Sequence, residues 1–586
     1  MNAQKLGPSV VLLLAALACD MEGICTIDDD KSCQSNADLI CYSGKKPKTG
    51  AKGVCVYGEF SPAGKPVAKI KAWKLVLPNG KEVAPLKKSE ESPENADAGW
   101  VGMAEARVEV EVVGASPNED LSVWTSHGLH AQCRPPAERK LAGEVWTCTL
   151  PEGWAASSKA DTLQVHAQAR EAKLKTHTYR VLCSHPPPEG LVGEPVKPPL
   201  AISGKRLLFG SSTGNTPKTP ATNMENMPAA NNSLHVFDTD ACALVGSLHT
   251  GTLQGPMVVL GDTGRVAVAL GNHGPPGREG QRLSLVEVSG ATPNFVDSGR
   301  DCEGDGFFDK GLSLMSVANA STGAPWRLVA PANHSVCNKS RVAVYTPEAK
   351  PHTCDFHSLT THCFQTPISQ DDNTAVLGIY AGSMGAVLQG WIFEETAWKP
   401  GPPESLDIGI ENVSPVAVFG GNFWVRNLSF ESPVAVDDKG WGYFAVKPSG
   451  SDRYHLQLES PLPGSRNKGR VEANSPPFEG GPVGSPLLGE GGRVYVVTTT
   501  GSVLAYGTEL GEPLWTYNLG IGVVESTAQP VLSDNTLWVV GARGEVRGIR
   551  VNSNGLSRKA HWPKTFRDNC NTSSRLSNEN TLPSCF

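Results

Sequence analysis

The chain has 586 residues and a formal net charge of −7. That is too long for one ordinary core, and it leaves no global basic field to hold a nucleic-acid backbone. Glycine (62) and proline (45) are abundant and hydrophobic residues make up 39%, a balance that favours many short strands joined by turns over long helices. An all-β chain of two or three domains is expected.

The N-terminus reads as an export signal, residues 1–18. Lys5 gives a minimal positive region, and Val10 to Ala18 is an unbroken apolar run ending in small residues before Cys19. The run is too short to span a bilayer as a mature helix, and no later segment has the sustained apolar length of a span. Ala16-Leu17-Ala18-Cys19 resembles the bacterial lipobox. The resemblance implies lipidation of Cys19 and membrane anchoring at the cell envelope, with ordinary cleavage nearby as the alternative. Of 15 cysteines, setting Cys19 aside leaves an even number, compatible with disulfides in an exported compartment. No C-x-x-C occurs, which removes the commonest zinc, redox and covalent-haem signatures.

Residues 19–60 hold Cys25, Cys33, Cys41 and Cys55 in a polar stretch. There is too little apolar material for a core, so disulfides must supply the order, in a connectivity that spacing leaves open. The segment resembles small cysteine-rich modules near the N-termini of myxobacterial surface proteins. Lysines crowd residues 45–88. They suit either an anionic membrane surface or a solvated face.

Residues 61–185 alternate. Val108, Val110 and Val112 point one way and Arg107, Glu109 and Glu111 the other; Leu163, Val165, Ala167 and Ala169 alternate with Gln164, His166 and Gln168. Period-2 patterning means half-buried antiparallel strands, and the size suits an immunoglobulin-like β-sandwich. Trp146 and Cys148 share a strand, with Cys133 and Cys183 as candidate staples. Residues 186–200 are a proline-rich linker in this reading.

From 201 to 586 the chain repeats. Tyr495, Val496 and Val497 match Trp538, Val539 and Val540 at a spacing of 43, and Gly501, Val503 and Ala505 match Gly544, Val546 and Gly548 at the same spacing. Weaker copies open at Gly255-Pro256, Ser414-Pro415 and Ser432-Pro433. Repeats of roughly 40–50 residues built from four strands are the signature of a β-propeller, here of about seven or eight blades.

The repeat resembles the pyrroloquinoline-quinone (PQQ) repeat, also called the PQQ-like β-propeller. Ala505, Gly511 and Trp515 fall on its Ala-x-Asp-x-x-Thr-Gly-x-x-x-Trp motif; Asp238 is kept in a second copy where Cys242 replaces the glycine. The segment His561-Trp562-Pro563-Lys564-Thr565-Phe566-Arg567 is similar to a further family segment. The resemblance implies the fold and not the cofactor, because the adjacent cysteine pair common in quinoprotein enzymes has no counterpart.

Candidate chemistry is sparse. Gly210-Ser211-Ser212-Thr213-Gly214 matches the hydrolase pattern G-x-S-x-G, but the prolines that follow argue for a turn rather than the required helix. Asp301, Glu303, Asp305 and Asp309 alternate around glycines like a calcium loop, against the alternative of a solvated acidic loop stapled by Cys302. No catalytic residues form a constellation. The sequence therefore points to a non-enzymatic binding or scaffold lipoprotein with protein or polysaccharide partners, the alternatives being a PQQ-dependent dehydrogenase and a surface adhesin.

Overall fold

The computed structural model describes residues 66–86, 99–114, 121–137, 143–156, 162–189, 196–211, 232–251, 255–260, 264–270, 282–296, 413–419, 422–463 and 468–571, with isolated positions inside these limits omitted. It also describes short strands between 24 and 60 and between 302 and 406, and a few single residues such as Cys585. The described part is all-β, built from antiparallel sheets. The chain divides into two compact units, Met1–Leu182 and Cys183–Phe586.

In the first unit, a five-stranded sheet runs in the order Gln132–Arg134, Glu144–Leu150, Ala106–Val113, Lys69–Val76, Glu82–Val83. A three-stranded sheet runs Lys175–Arg180, Thr162–Ala169, Leu121–Thr125. The alternation read from the sequence is the burial pattern: Val108, Val110 and Val112, and Leu163, Val165 and Ala167, are all buried. The core includes Trp154, whose Nε1 donates to the Ala104 carbonyl at 2.9 Å. Cys133 lies opposite Cys148 in the ladder, and the two are disulfide-bonded. The lysine-rich stretch pairs with carboxylates where it is described: Lys71 Nζ lies 3.3 Å from Glu111 and Lys74 Nζ 3.5 Å from Glu109. Nearer the N-terminus, the register places Cys41 opposite Cys55.

The second unit contains eight antiparallel sheets among the described residues. Seven are built from strands consecutive in sequence. The strands that open these sheets lie side by side: Ala201–Ser203 is next to Val258–Val259 and to Val531–Ser533, and Ser369–Gln370, Ala417–Phe419, Ala435–Val436 and Leu487–Gly489 follow one another. The last sheet takes three strands from the C-terminal repeat, Val531–Ser533, Thr536–Val540 and Val546–Arg550. Its fourth is Cys183–His185, from the other end of the unit. A sheet edge left open there would expose unpaired backbone groups; the N-terminal strand occupies it.

Two sequence expectations are revised by this pairing. Cys183 does not staple the first domain: it is bonded to Cys242, in the turn between Ser233–Asp238 and Ala243–His249, and so ties the last sheet to the first. Part of the expected linker also belongs to the second unit, because the Val196 N–H donates to Ala542 and the Leu200 N–H to Gln529, and both side chains are buried. Cys242 adopts φ +52°, the left-handed conformation that the motif's glycine would supply.

The 43-residue repeat is legible in the packing. Tyr495 and Trp538 occupy equivalent positions, and their cross-strand partners are Ala505 and Gly548. The larger ring faces the smaller partner: a Cβ on Gly548 would lie 2.5 Å from Trp538 Cζ3. Gly548→Ala should therefore destabilise the protein by about 1–3 kcal/mol, the cost of overpacking a tight core, even though alanine is the better strand residue. Thermal unfolding would check this; an unchanged or raised midpoint would contradict the packing argument. Gly548→Ala combined with Trp538→Tyr, which copies the neighbouring repeat, should recover part of the loss.

Candidate functional site

Residues 562–571 form no strand, yet every one of them is buried. Their backbone and amide groups bond to the opening strands of five sheets. The Trp562 N–H and C=O exchange bonds with Val436 at 3.0 and 2.7 Å, and the Leu488 N–H donates to the Pro563 carbonyl at 2.9 Å. The Asn569 side chain accepts from the Leu532 N–H at 3.2 Å and donates to the Leu532 carbonyl at 2.6 Å. The Ile202 N–H donates to the Asn569 carbonyl and the Val259 N–H to the Cys570 carbonyl, each at 3.0 Å. Asn571 Nδ2 donates to Leu200 and Met257 carbonyls. A disulfide joins Cys570 to Cys585.

Above this segment lies a cavity of about 650 Å³. Its wall comes from residues at or just before the opening strands of six sheets: Pro198 and Pro199, Pro256, Pro415, Pro433, Gly484 and Gln529. Thr565 and Phe566 of the buried segment also line it. The recurrent Ser-Pro pairs have a local cause. Proline has no N–H, and the preceding serine hydroxyl takes over the hydrogen bonding. Ser414 Oγ accepts from the Arg426 N–H and Ser432 Oγ from the Ala445 N–H, both at 2.9 Å, and each hydroxyl donates to the carbonyl of its own proline.

Gln529, Thr565 and Ser485 form a buried network at the cavity wall. Thr565 Oγ1 donates to Gln529 Oε1 at 2.6 Å, and the Ser485 N–H donates to the same oxygen at 2.8 Å. The network requires glycine beside it: Gly484 has φ +64°, and a Cβ there would fall 1.4 Å from Gln529 Oε1.

Glu431 and Lys197 are the charged residues among those lining the cavity. Burial raises the Glu431 carboxyl above its ordinary value, and neighbouring Arg426 opposes that shift. Arg426 is itself committed elsewhere. Its guanidinium lies over the rings of Trp424 and Phe444 at 4.7 and 4.2 Å and donates to Glu459 at 2.6 Å, with Glu431 farther away at 3.9 Å. Tyr454, Leu253 and Leu428 add aromatic and aliphatic surface. Leu428, which lines the cavity, is 39% exposed, and Phe430, in the turn leading to Glu431, is 56% exposed. Val523, in the loop leading to Ser526, is 63% exposed.

A second cavity, of about 610 Å³, is lined by Asp437, Asp438, Trp441, Tyr443, Glu490, Arg493, Glu509 and Arg558, among others. Its carboxylates do not converge. Asp437 Oδ1 instead accepts the N–H groups of Lys439 and Trp441, holding the turn. Among the described residues, the one group of potential metal ligands within 4.8 Å of one another is Asp568, Cys570 and Cys585. Its cysteines are disulfide-bonded and offer no thiolate.

The sequence-expected site residues fall as follows. Of the calcium loop, Asp301, Asp305 and Asp309 lie outside the described residues, and Glu303 is described only as backbone of the strand Cys302–Glu303. Cys19 also lies outside them. In the G-x-S-x-G segment, Ser211 is buried rather than on a surface turn and sits 3.3 Å from His235 Nε2; His235 Nδ1 is 2.7 Å from Ser247 Oγ and its ring stacks on Phe209. These groups cross-link neighbouring strands. Ser212, the would-be nucleophile, is outside the described residues. Asp238 caps its turn, accepting the N–H groups of Asp240 and Ala241, and pairs with Arg206. Gly511 takes φ +90°, and Trp515 packs against Tyr495. The cavity itself had one sequence signal, the repeated Pro after Gly or Ser.

No protein-family model matches the chain, and no curated protein matches it. Among solved structures it is similar to a computationally designed protein, Ika8, at 10% identity and a TM-score of 0.37, covering 61% of this chain and 96% of that one. It is also similar to the hydrazine synthase of Kuenenia stuttgartiensis, at 10% identity and a TM-score of 0.37, covering 62% and 97%. At that level of superposition neither likeness bears on fold or activity.

Lys564 lies in the buried segment, wholly enclosed. Its Nζ donates to Asn571 Oδ1 at 3.3 Å, and burial pulls its pKa down to about 7 against the opposing pull of Asp568. Unfolded, the ammonium regains its ordinary value near 10.4. Between about pH 7 and 10 the unfolded chain therefore binds a proton that the folded chain does not, so this residue's contribution becomes more favourable to folding as pH rises. The difference in unfolding free energy between wild type and Lys564→Met should grow in favour of wild type by roughly 1 kcal/mol per pH unit across that window. Denaturant melts at pH 7, 8 and 9 would measure it, and a pH-independent difference would refute the assignment.

Proposed function

We propose that residues 183–586 form a closed β-propeller of the PQQ-like type, with eight blades, and that its axial cavity is a binding site for a partner protein. The ring reading is supported by the opening strands that lie side by side, and by the pairing of Cys183–His185 with Val546–Arg550 across the two ends of the unit. In this reading the first unit carries an immunoglobulin-like β-sandwich. In the same reading Cys19 is lipidated and the protein is held at the cell envelope; the disulfides Cys133–Cys148, Cys183–Cys242 and Cys570–Cys585 suit an oxidising compartment.

The observation that carries the binding reading is the cavity with its exposed apolar rim. Prolines, Tyr454 and Phe566 make a rigid wall that loses little entropy when covered, and one carboxylate and one ammonium stand on it. Leu428 on the lining, and exposed Phe430 next in sequence to the lining residue Glu431, offer apolar anchors of the kind that interface centres use. A polypeptide segment offers apolar side chains for the rim and a basic group for Glu431.

Full-length protein immobilised on beads and incubated with envelope extract should retain a partner that Phe430→Asp and Tyr454→Ala each release. Phe430→Asp should leave the melting temperature within a few degrees, since Phe430 is largely exposed, so its effect on retention reads the interface and not the fold. Retention by the variants as strong as by wild type would remove the cavity from the interface. A stoichiometric chromophore after adding PQQ and calcium, with dye-linked alcohol oxidation, would replace this reading with an enzymatic one.

A further inference from the structure

The two larger sheets of the first unit treat their solvent faces differently. The five-stranded sheet carries Lys71, Lys74, Arg107, Glu109 and Glu111 outward, laced by ion pairs at 3.3–3.7 Å. That is an ordinary solvated surface, where charge of both signs keeps a sheet soluble. The three-stranded sheet has no such lattice. The residues that alternate with its buried Leu163, Val165 and Ala167 are Gln164, His166 and Gln168. Their neighbours in register are Trp124 and Ser122 on one side and Thr176 and Thr178 on the other.

This patch is organised around Trp124. The turn at Ser126–Gly128 folds the chain back, with Gly128 at φ +83°, so that exposed His130 bridges to Trp124 and stacks on it at a centroid distance of 6.0 Å. His166 flanks the indole at 5.6 Å and is held by Thr176 Oγ1, 2.9 Å from its Nδ1. Burial lowers the His166 pKa below its ordinary value, so that ring is uncharged at neutral pH. The centre of the face is thus an indole surrounded by imidazole, amide and hydroxyl groups, with Arg180 at the far end of the sheet opposite Thr162.

Such a surface matches one class of ligand by charge and shape. A neutral polysaccharide has no charge to pair. Its hydroxyls exchange hydrogen bonds with amide and hydroxyl side chains, which both donate and accept, and the C–H face of a sugar ring packs on an indole. Adjacent strands are roughly 4.8 Å apart, so three of them make a level platform about 10 Å wide that an extended chain can cross. We propose that the outer face of the sheet formed by Leu121–Thr125, Thr162–Ala169 and Lys175–Arg180 is a binding site for a neutral β-linked polysaccharide, centred on Trp124. The site lies wholly within the first unit and is independent of the cavity in the second.

The test is native affinity electrophoresis of the full-length protein in gels containing hydroxyethylcellulose, xylan or mixed-linkage β-glucan, with pull-down on insoluble cellulose and chitin. Wild type should be retarded or retained by at least one of these. Trp124→Ala should weaken that binding by about tenfold or more, the double variant Gln164→Ala/Gln168→Ala should weaken it, and Trp124→Tyr should restore part of it, with melting temperatures held within a few degrees. Tyr454→Ala, in the cavity, should bind polysaccharide as wild type does, which separates failure of one site from failure of the other. If wild type binds none of the five polymers, or Trp124→Ala binds as tightly as wild type, the proposal is overturned.

Discussion

The second unit depends on how its opening strands satisfy their inner edges. Each such strand has a ladder partner on one side only, and its other edge is turned away from water. Backbone N–H and C=O groups in that position must find partners or cost much of what the packing gains. Residues 562–571 supply those partners to five sheets at once. The composition follows from the task. Pro563 stands where a carbonyl is needed, Trp562 is wholly buried, Asn569 uses both ends of its amide to mimic a strand's alternation of donor and acceptor, and Asn571 donates from Nδ2 to the Leu200 and Met257 carbonyls.

That arrangement also explains the site. An opening strand preceded by proline cannot continue its ladder outward, so the chain ends there turn away and leave the cavity, while the buried segment provides its floor. The Gln529–Thr565–Ser485 network joins floor to wall, and Gly484 leaves room for it. The strand Cys183–His185 and the Cys183–Cys242 disulfide tie the last sheet to the first, so the wall is held between fixed ends. A bridge closing a loop of 59 residues restricts the unfolded chain by roughly 4 kcal/mol on the chain-entropy account.

Much of this was legible in sequence where one local rule decides the outcome. Period-2 alternation over Ala106–Val113 and Thr162–Ala169 gave strands and faces correctly, because a half-buried strand has no other way to place its valines. The 43-residue spacing gave equivalent strands, because Tyr495 with Ala505 and Trp538 with Gly548 fill the same volume. What escaped was set by non-local pairing. Nothing near Cys183 signals a partner strand more than 350 residues away or a bond to Cys242. Likewise, nothing in His561 to Arg567 itself signals burial among opening strands, because that burial follows from partners contributed by five sheets. The internal position of Ser211 is set in the same way: its neighbour His235 comes from the next strand.

Charge placement links the two units to their proposed ligands. In the second unit, Arg426 is enclosed and its guanidinium is taken up by Glu459 and two aromatic faces. A buried cation is tolerable only when so compensated; Glu459 supplies the nearer part and Glu431 adds to it from 3.9 Å. Glu431 is thus held at longer range than Glu459 and also lines the cavity, where its carboxylate can meet a cation from outside. In the first unit the reverse holds: the charged sheet satisfies itself through Lys71–Glu111 and Lys74–Glu109, and the face around Trp124 carries neutral donors and acceptors. A surface whose charges are internally paired has little to offer a ligand, whereas an incompletely paired carboxylate and an uncharged aromatic face each retain a specific one. On the two proposed readings the faces select for different chemistry, a basic polypeptide segment and a neutral glycan, so a chain that carried both sites could join one ligand to the other.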